Sequence, residues 1–120
     1  MKLKIKEINV IDQVLINLLF ALEPQSIVSA TNIDQRDIEK IQGKIRNLSN
    51  ENRDIILKET DLDQKEIASL ILILEKSVSI LEGFDDIHTL TGYEEEDIIA
   101  TIKSLKSLTN LQKIENSISN

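Results

Sequence analysis

The stretch LTGYEEEDIIATIKSL, residues 90–105, decides how the chain is read. A Thr-Gly pair and a tyrosine lead into Glu94, Glu95, Glu96 and Asp97, and an isoleucine follows. Four consecutive acids suggest a site. They also suit the first turn of a helix, whose dipole favours negative charge.

Two other stretches favour the helix start. IVSATNIDQRDIEKIQGKI (27–45) and ILKETDLDQKEIASLILIL (56–74) overlay IHTLTGYEEEDIIATIKSL (87–105). Each has an apolar residue (Ile27, Ile56, Ile87) four positions before a threonine (Thr31, Thr60, Thr91). Then come an apolar residue (Ile33, Leu62, Tyr93), an acid (Asp34, Asp63, Glu94), a second acid (Asp37, Glu66, Asp97) and an isoleucine (Ile38, Ile67, Ile98). The threonines are spaced by 29 and 31 residues, the range of a repeated supersecondary unit. Mechanically, a short helix ends at the threonine, a tight turn buries an apolar side chain, and the acids cap the next helix. Asp34 and Asp63 are the expected caps, and Asp63 with Glu66 has capping-box spacing.

Outward from the repeat, EINVIDQVLINLLFALEP carries apolar residues at three- and four-residue steps and reads as a first helix ended by Pro24. The whole chain predicts seven helices, at about 7–22, 25–31, 34–48, 50–59, 63–82, 85–90 and 94–108. The last dozen residues either extend the seventh or fray. KLKIK near the N-terminus alternates like a strand, but no partner strand is evident. The expected fold is all-α: a compact orthogonal bundle of six or seven helices, built from three helix-turn-helix-like repeats. At its centre lies helix 63–82, which is apolar nearly all round. Leu72, Ile73 and Ile80 lie outside its main stripe, so it is either a core helix or a homodimer interface. One domain spans residues 1–120, and any subdivision would fall near 47–52.

Composition narrows the chemistry. The chain has no cysteine and one histidine, and only 2% of it is aromatic, so Ile and Leu fill the core. Base or sugar stacking has little support. The net charge is −7; residues 1–48 hold 7 basic and 6 acidic residues, and residues 49–120 hold 7 and 15. The acidic part should repel nucleic acid and anionic membranes. No apolar run reaches the roughly 20 residues of a membrane span. Lys2, Lys4 and Lys6 resemble a signal n-region, but Asp12, Gln13 and Asn17 interrupt the apolar region after it, so a cytoplasmic location is expected.

No constellation supports catalysis. His88 has no nucleophile to serve. Consecutive helical acids point about 100° apart, so residues 94–97 make a poor cation site. DLDQKE (61–66) opens like a calcium loop, but Glu66 stands where glycine is required. Gly43, Gly83 and Gly92 are isolated, and no phosphate loop exists. Neither enzyme activity nor a cofactor is expected.

LTGYEEEDIIATIKSL resembles the helix-turn-helix of winged-helix and related bacterial regulators, through Thr91, Gly92, Tyr93 and Ile98; the 27–45 and 56–74 segments match less closely. The resemblance implies a nucleic-acid-binding helix. The acids of the third segment would repel phosphate, and the second segment's helix is too apolar for a groove. Helix 34–48 alone suits that role, through Arg36, Lys40, Lys44 and Arg46. The favoured expectation is a non-enzymatic protein-interaction or regulatory module of adaptor, inhibitor or immunity type, meeting a basic protein through Glu94, Glu95 and Glu96. A transcriptional regulator acting through helix 34–48 is the alternative.

Overall fold

The computed structural model describes residues 2–119, with side chains to residue 109. Among the described residues six helices make up the bundle: α1 (Ile5–Ala21), α2 (Pro24–Thr31), α3 (Gln35–Asn50), α4 (Gln64–Glu82), α5 (Ile87–Thr91) and α6 (Glu95–Ser119). The fold is all-α, as the periodicity predicts. The centre is shared: α1 and α4 pack on each other, and each also packs on most of the remaining helices.

Two corrections concern residues 50–59. The helix expected at 50–59 is absent, and the KLKIK strand has a partner after all. Lys2–Leu3 (β1) pairs antiparallel with Ile55–Ile56 (β2), in the register Leu3 to Ile55. Helix α3 continues through Asn50, and Asn52 then turns left-handed at φ 54°. Beyond it, the β-branched Ile55 and Ile56 favour extended backbone. Leu3 and Ile55 are both buried, so the ladder closes that edge of the core. Asp54 accepts the Ile5 N–H at 2.9 Å, satisfying one of the free donors at the start of α1. Residues 47–52, where a subdivision was expected, therefore lie mostly within α3, and Ser49 bonds Asn9 of α1 at 2.7 Å.

Two of the three segments fold as the repeat dictates, with matching hydrogen bonds. The Thr31 hydroxyl donates to the Ile27 carbonyl (2.7 Å) and accepts the Ile33 N–H (3.2 Å). Thr91 does the same with Ile87 (2.8 Å) and Tyr93 (3.1 Å). Between them sit Asn32 at φ 58° and Gly92 at φ 80°, the left-handed residues that reverse the chain. Asparagine and glycine are the residue types that enter that region most easily.

The middle segment keeps only its second half. Thr60 is exposed, and Asp61 stays out of the left-handed region; its carboxylate instead accepts the Lys58 N–H at 3.0 Å. From Asp63 onward the pattern returns. Asp63 accepts the Glu66 N–H at 2.8 Å, and Glu66 accepts the Asp63 N–H at 3.0 Å, a complete capping box. Asp34 makes no such side-chain bond, contrary to expectation.

A larger repeat emerges from the helix order. Long, short and long helices (α1–α3) recur as α4–α6. Ile38, Ile41, Ile45 and Leu48 of α3 are buried, as are Ile98, Thr101, Leu105 and Leu108 of α6, each 60 positions on. Val10, Ile11, Val14 and Leu18 of α1 match Ile73, Leu74, Ser77 and Leu81 of α4, 63 positions on, and all are buried. The two halves share one packing scheme.

Candidate interaction surface

The expected acidic residues open α6. Glu94 lies 2.6 Å from His88 Nδ1, which joins α5 to the start of α6. Glu95 and Glu96 are exposed and form no ion pair among the described residues. Asp97 is employed structurally: it accepts the Glu94 N–H at 3.0 Å and pairs with Lys6 of α1 at 2.9 Å. The Lys6 ammonium holds the Asp97 carboxyl below the usual carboxylate range, and Asp97 in turn raises Lys6.

The four cations of α3 do not act as one face. Arg36 and Lys40 are exposed. Lys44 reaches α4 and pairs with Glu66 at 2.8 Å, on the same oxygen that closes the α4 capping box. Arg46 pairs with Asp12 of α1 at 3.2 Å. Asp12 is only 5% exposed, and Gln42 also donates to it at 3.3 Å. Half of the expected basic surface therefore holds helices together.

The three α4 residues outside the main stripe separate. Ile73 is fully buried and belongs to the core, Ile80 is half-buried against it, and Leu72 is 38% exposed. Aromatic surface is also exposed: Phe20 at the end of α1 is 92% exposed and Phe84 beyond α4 is 56% exposed.

Beside the acidic start of α6 runs a shallow groove of 430 Å³, between the C-terminal half of α4 and the N-terminal half of α6. Its floor and walls include Val78, Ile99 and Ile102, with Glu82 and Glu95 at one end. At the other end Glu75 meets Lys106 at 3.5 Å. These end pairings make α4 and α6 antiparallel. The groove was not anticipated from the sequence. Its signal is Ile98-Ile99: adjacent helical residues diverge by about 100°, so both cannot face the core. Ile98 is buried and Ile99 is 44% exposed.

Among the described residues no helix is long and apolar enough to cross a membrane, and no group of three or more His, Cys, Asp or Glu could hold a metal ion. Comparison with known proteins finds no matching family model, curated protein or solved structure.

Proposed function

We propose that the chain is a non-enzymatic protein-interaction or regulatory module, of the adaptor, inhibitor or immunity type, acting in the cytoplasm on a basic protein partner. One observation carries the reading. Glu95 and Glu96 are exposed and free of ion pairs among the described residues, on the same turn of α6 that leads to the exposed Ile99. Unpaired carboxylates beside exposed apolar surface suit a protein contact, in which charge steers the partner and apolar burial holds it. The competing reading, a helix-turn-helix regulator binding nucleic acid through α3, has less support. Lys44 and Arg46 already serve Glu66 and Asp12, which leaves Arg36 and Lys40 for phosphates.

Affinity capture from native lysate with mass spectrometry tests the reading. A partner should be retained by the wild-type chain and lost from the Glu95→Lys/Glu96→Lys variant. Capture of nothing by the wild type, or retention unchanged in the variant, refutes it. A salt-sensitive gel shift lost in Lys40→Glu would favour the competitor instead.

A further inference from the structure

The matching halves of the fold allow each surface position to be read against its counterpart. In the N-terminal half, the seam between the two long helices is closed by polar side chains. Gln42 and Arg46 of α3 both reach the buried Asp12 of α1, while Gln35 donates to Glu39 within α3 at 2.8 Å. The same positions in the C-terminal half read differently. Glu75 and Lys106 take the places of Asp12 and Arg46 and keep an ion pair. Ile99 stands in place of Glu39, and Ile102 in place of Gln42. Glu95 replaces Gln35, and Glu82 replaces the half-buried Leu19.

The exchange is reciprocal. Exposed Glu39 has become Ile99, half-buried Gln42 has become Ile102 packed against the core, and the rim at one end has become acidic. The N-terminal half carries Glu39 and Gln42 at the equivalent positions of its own two-helix seam. Ile99 presents apolar surface, 44% exposed, where the other half presents the exposed carboxylate of Glu39. An apolar floor with unpaired carboxylates at one end fits an amphipathic helix, whose apolar residues recur at three- and four-residue spacing.

We infer that the α4–α6 groove binds an amphipathic helix of a partner protein that carries Lys or Arg at the end lying against Glu82 and Glu95. This rests on the interaction-module reading and names the partner's chemistry. From Glu75 to Glu82 the groove spans about 10 Å of helix axis, so about two turns of partner helix fill it. Neither Glu82 nor Glu95 has an ion-pair partner among the described residues, so the groove offers two carboxylates at that end. At the other end Lys106 already neutralises Glu75, and the partner helix needs no cation there. The asymmetry also sets the direction in which a helix with one basic end lies.

The test uses the full chain and a designed, fluorescein-labelled amphipathic peptide of about 16 residues. It carries Leu at three- and four-residue spacing and Lys at one end; a counterpart carries Glu for every Lys. Fluorescence anisotropy should show the Lys peptide binding at least about tenfold more tightly than the Glu peptide. Ile99→Glu/Ile102→Gln, which installs the residues of the other half, should weaken binding by about tenfold or more while circular dichroism stays unchanged. Glu82→Lys/Glu95→Lys should reverse the preference between peptides. No binding of the Lys peptide at millimolar concentration, equal binding of both peptides, or indifference to these variants overturns the inference. So does light scattering that shows a dimer dissociated by Ile99→Glu, because a second copy would then be the occupant. A captured partner lost with Glu95→Lys/Glu96→Lys but kept with Ile99→Glu/Ile102→Gln sinks the groove alone. Failure of the wild type to capture any partner sinks the module reading itself.

Discussion

Thr31, Thr60 and Thr91 occupy the same place in the sequence repeat, and replacing each with valine separates them. Valine keeps the size and the β-branch, so helix propensity and packing change little. At Thr31 the hydroxyl gives one hydrogen bond to the Ile27 carbonyl and takes one from the Ile33 N–H. The first is worth about 1 kcal/mol, and leaving the second donor without a partner costs about 1–2 kcal/mol more. The added methyl is buried, since Thr31 is 3% exposed, and returns up to about 0.8 kcal/mol. The net expected loss is about 1–2 kcal/mol. Thr91→Val loses the equivalent bonds with Ile87 and Tyr93 and should cost the same. The two turns share no partner, so the double variant should lose about 2–4 kcal/mol. Thr60 is exposed and forms no side-chain hydrogen bond among the described residues, so Thr60→Val should stay within about 0.5 kcal/mol of wild type. Urea unfolding followed by far-UV circular dichroism measures all four. With a slope of about 2 kcal/mol/M, Thr31→Val should lower the midpoint by about 0.5–1 M. A Thr60→Val loss equal to that of Thr31→Val would refute the claim that the middle segment lacks the turn.

The two ion pairs at equivalent positions should differ in worth. Arg46→Met leaves Asp12 buried beside Gln42 alone, and because Arg46 is itself half exposed the cost should be about 1–2 kcal/mol in urea unfolding, against less than about 0.5 kcal/mol for Lys106→Met beside the exposed Glu75. Equal losses would contradict the burial difference. The Lys6–Asp97 pair gives a pH signature. Asp97 has a lowered pKa in the folded chain, so it stabilises above the ordinary carboxylate value of about 4 and loses that contribution as pH falls through its folded value. In thermal melts between pH 2 and 5, Asp97→Asn should lose less stability on acidification than wild type. An identical acid dependence would remove Asp97 from the account.

The elements legible in the sequence were those set by local chemistry. Apolar periodicity found α1 and α4, and the threonine spacing placed α2, α3, α5 and the start of α6. What failed at 50–59 was a matter of distance. Ile55 and Ile56 become a strand because Lys2 and Leu3 lie beside them, a pairing across more than 50 residues that no window of sequence contains. The middle repeat misled for a subtler reason. Its threonine and acids match, but Asp61 sits where Asn32 and Gly92 enable the left-handed turn, and that one difference separates a turn from a look-alike. The basic residues of α3 were legible as charges. That Lys44 and Arg46 are engaged depended on Glu66 and Asp12, which are distant in sequence.

The same limit explains why the acidic start of α6 was visible as a stretch and the groove beside it was not. Glu94, Glu95 and Glu96 are contiguous, whereas Val78, Glu82, Ile99 and Ile102 meet only when α4 and α6 lie antiparallel. Once they meet, the two acids acquire different meanings. Glu94 is held by His88 and contributes to the α5–α6 turn, and Glu95 stands at the mouth of an apolar groove. Charge alone would make them interchangeable, and position separates them. Glu94→Gln should therefore disturb the turn more than partner binding, and Glu95→Gln should do the reverse. Comparing unfolding midpoint with peptide affinity for these two variants resolves the roles, because a shared loss in both measurements would mean that the acids act as one cluster and that the groove has no edge of its own.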